Sequence, residues 1–430
     1  MAERYDVVVI GSGPAGLTAA HAAARQGVRV GLVDAQALPG GQVWRHDVRF
    51  SAPAFARRCM QATLEHIKID WLPQTRVVGA EPGRLLVEDP RSARWLKYGA
   101  LVLATGAREV LLPFPGWTLP GVTGAGGLQA LAKQGWPLAG KRVVVAGSGP
   151  LLLAAAATAR RHGARVLAVF EQAERAAMLR FTRGLWRWPA RVLQAAALRT
   201  QLAGVPYHFG SVVTAAQGED ALREIEVSGP HRQRRIACDQ LAVGFGLAPN
   251  VELARMLGCQ LEAEGAQQRV RVDARQHTSV PTVYAAGEVC GIGGRDSALI
   301  EGAIAGLAAT GARTGIASLQ RRRAQARAFA RQLRETFAIG ERVRALAQPD
   351  TLVCRCEDVT LGALDAHVDA RGAKLATRCG MGPCQGRICA TALAELGRAA
   401  GIAARPPLFP ARLESLALAP ADGVAPSLAT

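Results

Sequence analysis

The first sixteen residues constrain this chain more than any other stretch. Tyr5-Asp6-Val7-Val8-Val9-Ile10 is a β-branched run suited to a buried parallel strand, and it leads through Gly11-Ser12-Gly13-Pro14-Ala15-Gly16 into an Ala-rich helical pattern. Each glycine of this G-x-G-x-x-G has a physical task. Gly11 makes the tight turn, Gly13 lets a pyrophosphate approach the backbone, and Gly16 lets the helix pack closely on the strand. Pro14 and Ala15 complete the loop, and the free N–H groups and dipole of the new helix face the phosphates. A second strand pattern, Val28 to Val33, ends in Asp34, at the spacing of a carboxylate that holds an adenosine ribose. A glycine-rich turn that binds nothing is the bland alternative. The succession of strand, turn, helix, strand and acid favours a dinucleotide.

The chain has 430 residues, enough for two or three domains with sizeable cores. Its 49% apolar and 20% charged residues fit a soluble globular protein, and no run of 18 apolar residues predicts a membrane span. The first strand begins almost at Met1, so we expect no leader and a cytoplasmic location, with any contact to the inner membrane peripheral. The net charge of +18 raises nucleic acid as a partner. Only five of the 52 basic residues are Lys, and the Arg residues are scattered, so we discount nucleic acid. An acidic protein partner or an anionic membrane surface stays open. The densest run, Arg321-Arg322-Arg323, falls in a predicted helix and reads as a solvated face or subunit contact.

Further along, Gly40-Gly41-Gln42 allows close approach to the flavin side of a dinucleotide. Residues 75–78 and 84–87 read as strands of a small sheet, with Val77 counted among the cofactor contacts. Ala100 to Ala107 is a buried strand ending in Ala104-Thr105-Gly106, a second signature of two-dinucleotide flavoproteins. Residues 108–122 read as a crossover, after which Lys141 to Pro150 repeats the opening with Gly147 and Gly149, and a strand from Ala164 ends in Glu171. This duplicated unit is imperfect. Leu152 stands where the third glycine belongs, so bulk is expected to push the helix off the strand. NAD(P)H, another adenine nucleotide and an empty structural copy all remain open there. Thr278 to Glu288 then matches a closing flavin motif in which a strand ends in Gly-Asp and the acid holds the ribityl chain; here Gly287 is followed by Glu288, a longer acid that could serve. Residues 298–310 read as a small-residue helix whose N-terminus stabilises reduced flavin. The implied domains are 1–115 with 240–316 for FAD, an inserted 116–239, a basic helical linker 317–348, a cysteine-rich unit 349–400, and an extended tail 401–430.

Nine Cys in a cytoplasmic chain are not expected to form structural disulfides. Four are dispersed, and five crowd into Cys354-Arg355-Cys356 and Cys379-Gly380-Met381-Gly382-Pro383-Cys384-Gln385-Gly386-Arg387-Ile388-Cys389. Soft thiolates in fours suit zinc or iron–sulfur. Cys-x-Cys and Cys-x-x-x-x-Cys spacings differ from the Cys-x-x-Cys knuckles of structural zinc, and an upstream flavin gives a one-electron relay a purpose, so 2Fe–2S leads over zinc and unligated thiols. We take Cys354, Cys356, Cys384 and Cys389 as ligands and Cys379 as spare. The Cys-x-x-Cys and Cys-x-x-x-x-Cys pairs of disulfide reductases are missing from their usual places. The histidines lie apart, with no acid/base or nucleophile set, so no catalytic residue is assigned.

Along nearly its whole length the chain resembles the α (A) subunits of heteromeric FAD-dependent amine and amino-acid dehydrogenases, the group of hydrogen cyanide synthase, opine oxidase and hydroxyproline dehydrogenase. The matching residues are Gly11 to Gly16, Gly40-Gly41-Gln42, Pro113 to Gly121, Ala286-Gly287-Glu288, Cys354-Arg355-Cys356-Glu357 and Gly380 to Cys389. The cysteine unit is similar to the bacterioferritin-associated ferredoxin type, in which Gly-Met-Gly-x-Cys-Gln-Gly occurs without a counterpart of Cys379. The resemblance implies an α/β flavoprotein with two Rossmann-like dinucleotide domains, of pyridine nucleotide-disulfide oxidoreductase type, plus a small iron–sulfur domain. It also implies two further partners, a flavin-containing β subunit that oxidises the C–N bond and a small third subunit. Electrons would pass through FAD and the cluster of this chain to a quinone or dye. A self-contained NAD(P)H-dependent reductase and a non-enzymatic iron–sulfur carrier are the alternatives.

Overall fold

The computed structural model describes residues 3–230, 232–312, 314–367, 369–398 and 406–418. The β-branched runs become the central strands, as their two-sided burial requires. The chain opens as β1 (Glu3–Ile10), α1 (Pro14–Ala24), β2 (Val30–Val33), α2 (Ala54–Leu64), β3 (Ile69–Leu72), β4 (Arg76–Glu81), β5 (Arg84–Glu88) and β6 (Ala93–Leu103). They form a sheet of order β3-β2-β1-β6-β5-β4, parallel through β6 and antiparallel in its β5–β4 wing. The order in which strands are added reverses at β1, with β2 and β3 on one side and β6 on the other, and the glycine loop leaves from that switch point, where open α/β sheets bind ligands.

After β7 (Ala107–Glu109) the pattern repeats as β8 (Val122–Gly124), α3 (Ala125–Lys133), β9 (Arg142–Gly147), α4 (Leu151–Arg161) and β10 (Arg165–Glu171). It continues through α5 (Arg175–Gly184), α6 (Pro189–Gln201), β11 (Tyr207–His208), the meander β12 (Val212–Gln217), β13 (Glu224–Ser228) and β14 (Gln233–Ala237), and β15 (Gln240–Gly244). The second sheet runs β11-β10-β9-β15-β8, all parallel. Its first four strands reproduce the β3-β2-β1-β6 order, so the duplication read from the sequence is a duplication of topology. One boundary differs. Residues 240–244 pair with β9 and β8, so this strand belongs to the inserted unit and not to the flavin domain.

The return crosses at β16 (Leu247–Pro249), paired antiparallel with β7, then passes α7 (Glu252–Met256) and the hairpin β17 (Leu261–Glu264) and β18 (Gln267–Val270). β19 (Val283–Ala285) then joins β6 in the first sheet. α8 (Gly294–Ala309) starts one turn earlier than expected and packs on α1 at backbone distance. A Cβ at Gly302 would lie 2.1 Å from the Ala15 carbonyl oxygen, and one at Gly306 would lie 2.2 Å from that of Ala19. Small residues here serve contact between helices.

α9 (Ile316–Thr336) carries the arginine run, and here the solvated-face expectation is corrected. Arg321 and Arg322 are exposed, but Arg323 is buried and pairs with Glu301 of α8 at 3.4 Å, while Arg327 reaches the same carboxylate at 2.9 Å. The cysteine-rich unit begins with strand 352–354, paired with 359–360. It is fastened to both nucleotide domains, by Trp117 Nε1–H donating to the Leu352 carbonyl at 2.7 Å and by Gln267 reaching the Thr391 carbonyl at 3.1 Å. Within the tail, 406–418 runs along the β4–β6 wing with one helical turn at Leu413–Leu416. The Leu408 N–H donates to Val78, and Trp95 donates to the Leu418 carbonyl. The rest of the tail lies outside the described residues.

Candidate functional site

The first glycine loop separates its three glycines by what surrounds them. A Cβ on Gly11 would sit 2.3 Å from the Ala104 carbonyl oxygen, and one on Gly16 would sit 1.7 Å from that of Gly11. These two are glycine because backbone fills the space. Gly13 has nothing within 4 Å of a Cβ position, so open space stands above its backbone at the N-terminus of α1. Pro14 and Ala15 form the first turn, and the Leu17 N–H donates back to Gly13 at 2.9 Å. A pyrophosphate needs this combination of open space, exposed N–H groups and positive helix end.

Asp34 follows β2 and accepts the Ser12 N–H and hydroxyl, both at 2.6 Å, on one oxygen. Its other oxygen takes the Gln36 N–H at 2.7 Å. The acid therefore fixes the loop, and it remains only half-buried. Gly41 backs the loop from the far side, since its Cβ would meet the Gly13 Cα at 2.9 Å. Gln42 is exposed, accepts from Arg45, and lines a large cavity between the two nucleotide domains. Val77 is buried in the core two residues beyond Thr75, whose N–H donates to the Asp34 carbonyl.

Just past the C-terminal end of β6, Thr105 and Gly106 are tied to Asn250 by three bonds, and a fourth joins Asn250 to Arg108. The Thr105 hydroxyl donates to the Asn250 carbonyl at 2.7 Å, and the Asn250 side-chain amide donates to the Thr105 carbonyl at 2.9 Å. The Asn250 N–H donates to Gly106 at 3.0 Å, and the Asn250 Oδ1 accepts from Arg108 at 2.7 Å. Gly106 adopts φ +68° with open space beside it. Gly287, two residues past the end of β19, has φ +79° and lies against Ala15, which brings the closing motif onto the glycine loop. Its N–H donates to Glu301, a buried carboxylate that sequence reasoning missed because nothing in its helix marks it. Glu288 lines the interdomain cavity. Burial raises its pKa, and the Gly294 N–H that it accepts works in the opposite direction.

The second glycine loop keeps the geometry but not the open space. Gly147 packs on Gly244, with a Cβ position 2.0 Å from its carbonyl oxygen. Leu152 does not push α4 away. It is fully buried, and the missing side chain of Gly244, whose Cβ would lie 3.3 Å from Leu152 Cδ2, makes room for it. Above Gly149 stands the Phe337 ring, 3.7 Å from a Cβ position, where Gly13 faces open space. The segment after α9 is bonded there. The Ser148 hydroxyl donates to the Phe337 carbonyl at 2.8 Å, and Gln172 joins Ala338 at 2.8 Å and Gly340 at 3.0 Å. Glu171 is buried and turned inward, accepting the Gly149 N–H at 2.8 Å and the Ala173 N–H at 3.0 Å. Burial pushes its carboxyl up to about 7. In this arrangement both Glu171 oxygens are taken up by the loop around them.

The cavity between the domains holds about 1890 Å³. Glu109 reaches into it from β7, accepting the Gly126 and Gly127 N–H groups at 2.7 and 2.8 Å, with its pKa raised by burial. One contact across the domains joins Asp47 to His162, 3.0 Å apart and both buried. It ties loop to helix end, and Asp47 lines the cavity.

The five C-terminal thiols converge. The sulfurs of Cys354, Cys379 and Cys389 lie within 4.8 Å of one another, all buried. Cys356 is exposed, Cys384 is half-buried, and their thiols are hydrogen-bonded. Cys379, set aside in the sequence reading, is therefore inside the group. Its hydrogen bond to Cys389, together with burial, holds the Cys389 thiol well above its usual range. An all-thiol donor set suits a soft metal or iron–sulfur centre. From this group a path of hydrogen bonds leads to the C-terminal end of β6. Arg387 donates to the Cys384 carbonyl at 3.3 Å, and Arg108 donates to the Arg387 carbonyl at 3.0 Å. Arg108 also donates to Asn250, which holds Thr105, and is anchored by Glu252 at 2.7 Å.

Residues 5–321 match the family model for pyridine nucleotide-disulphide oxidoreductases. The chain belongs to this family. Like its nucleotide domains, its full length has curated relatives. It is 34% identical to hydrogen cyanide synthase subunit HcnB of Pseudomonas aeruginosa, over 89% of this chain and 90% of that one. It is 33% identical to the A subunit of opine oxidase from Rhizobium meliloti, over 96% of this chain and 98% of that one. Among solved structures it is similar to L-proline dehydrogenase from P. horikoshii, with a TM-score of 0.68 and 19% identity over 97% of this chain and 80% of that one. Likeness to T. acidophilum thioredoxin reductase, TM-score 0.56 and 22% identity, covers 72% of this chain and 98% of that one. This member of the oxidoreductase family is an FAD-dependent oxidoreductase. No helix among the described residues is long and apolar enough to cross a membrane.

Proposed function

We propose that this chain is the electron-handling subunit of a heteromeric dehydrogenase that oxidises the C–N bond of an amino or imino acid. Substrate chemistry belongs, on this reading, to a partner β subunit with its own flavin, and a small third subunit completes the assembly. Hydroxyproline, glycine and opine types all suit that partner. In this chain Gly11, Gly13, Pro14, Ala15, Gly16 and Asp34 would hold FAD, with Gly41, Gln42, Thr105, Gly106, Gly287 and Glu288 along its length. The thiols would hold a 2Fe–2S cluster. A bound flavin accepts electrons in pairs and releases them singly, which is what a relay to a one-electron carrier requires. Electrons would leave for a quinone or dye, and a quinone would bring the assembly to a membrane as a peripheral partner.

The observation that carries this reading is the hydrogen-bonded path Thr105–Asn250–Arg108–Arg387–Cys384, which joins the end of β6 to the thiol-bearing loop. The relatives' names as subunits support it. Phe337 over Gly149 and the inward Glu171 weigh against a self-contained NAD(P)H reductase. The second domain then keeps an adenine nucleotide or serves as structure, with Gly147 and Gly149 shaping its loop.

The test is co-expression with the partner subunit, followed by purification, flavin, iron and sulfide assay, and dye reduction with each candidate amino acid. The complex should reduce dye, and this chain alone should not. Full amine oxidation by the isolated chain overturns the proposal. Prompt anaerobic bleaching of its flavin by NADH or NADPH would favour the reductase.

A further inference from the structure

The five thiols separate into a buried trio, Cys354, Cys379 and Cys389, and an outer pair, Cys356 and Cys384. Two thiolates bound to one metal at about 2.3 Å each cannot be more than about 4.6 Å apart. The trio, within 4.8 Å throughout, stands close to that spacing. Cys354 ends a strand of the unit and has its place set by pairing with residues 359–360. Cys379 and Cys389 come from opposite ends of one loop, and glycine brings them together. Arg378 ends the helix 370–377 at φ +63°, and Gly380 follows at φ +80°. A Cβ on Gly380 would lie 3.5 Å from Gly386 Cα and 3.9 Å from the Cys389 sulfur, so the Cys379 turn closes directly onto the Cys389 turn.

We infer that Cys379 and Cys389 are interchangeable ligands of one metal position. Cys354 holds that position from the strand, and Cys356 and Cys384 supply the outer side. A four-thiolate centre uses one of the two at a time, and the other waits as a thiol beside it. The inference rests on the reading that these thiols hold iron, but the geometry applies equally to any thiolate-bound divalent metal.

Cys379→Ser, Cys389→Ser and the double variant decide it, with Cys384→Ser for comparison. Flavin content serves as the folding control, because the residues that would hold flavin lie outside the cysteine-rich unit. Each protein is reconstituted anaerobically with iron and sulfide and assayed for both, with a spectrum of the reduced protein. In parallel each is titrated with Co²⁺, whose thiolate charge-transfer band counts bound sulfurs. Each single variant should retain metal within about twofold of wild type. The double variant should lose at least about tenfold in Co²⁺ affinity, the loss that even an outer-shell partner causes. Cys389→Ser should also shift the reduced spectrum, because the substitute sulfur approaches from a different turn. Loss of metal from Cys389→Ser equal to that of the double variant overturns the inference, as does full retention by the double variant. If the wild type assembles no iron–sulfur centre, the iron reading fails, while the Co²⁺ series still decides whether the two thiols exchange.

Discussion

Gly13 and Gly16 differ by three positions and by opposite physical reasons for being glycine. Gly13→Ala adds a methyl group into open space at φ −71°, so we expect stability within about 1 kcal/mol of wild type. Flavin affinity should fall at least about tenfold, equivalent to ~1.4 kcal/mol, because the methyl occupies the pyrophosphate position. Gly16→Ala should lose both, by about 1–3 kcal/mol in stability, since its Cβ overlaps the Gly11 carbonyl. Flavin absorbance after purification and denaturant midpoints separate the two effects. Glu171 gives a pH signature. Its folded carboxyl titrates near 7, against 4.5 for an exposed one. Between those values the folded state keeps a proton that the unfolded state has lost, so its contribution to stability declines as pH rises across that window and is level above it. Glu171→Gln removes that dependence, and relative stability should move toward the variant from pH 5 to pH 8. Parallel stability–pH curves for the two proteins would refute the assignment.

At the scale of elements, α8 is held between two different demands. Gly302 and Gly306 let it touch α1, and Glu301 on the same helix meets the Gly287 N–H, Arg323 and Arg327. Glu301→Ala leaves Arg323 buried without its counter-charge and should cost about 3–5 kcal/mol. Gly306→Val overpacks the same contact and should cost about 1–3 kcal/mol, with flavin lost in proportion as the N-terminus of α1 shifts. Thermal unfolding with flavin release followed in the same cuvette checks both. The α9 arginines were legible only as charge. Their inward turn depends on a carboxylate some 22 positions away in sequence from Arg323, on a helix that reads as a featureless run of small residues.

For the whole molecule, the cysteine unit is not a free appendage. Trp117, Arg108, Gln267 and Arg344 fasten it to the inserted domain, the crossover, the flavin domain and the linker. Arg108→Lys keeps a cation near Glu252, but a single ammonium cannot serve Asn250, Glu252 and Arg387 together as a planar fork does. We expect flavin and metal content to persist while electron passage between them slows, which rapid-mixing spectroscopy of the reduced complex measures. Equal rates in wild type and variant would remove Arg108 from the path.

The sequence alone determined the local frames: both βαβ units, their glycine turns, the acids after β2 and β10, the closing motif and the thiol-rich unit. Each of these depends on spacing within a few dozen residues, and strand or helix periodicity with glycine at a required backbone angle is written directly in the chain. Tertiary structure decided what faces what. It left Gly13 open and covered Gly149 with Phe337, accommodated Leu152 opposite Gly244, moved residues 240–244 into the inserted sheet, and brought Cys379 beside Cys389. It also joined Thr105 to Cys384 through two arginines nearly 280 positions apart. Such contacts depend on packing between segments distant in sequence, where no periodicity extends and the hydrogen-bonding capacity of an Arg or Glu gives no sign of which partner it will meet.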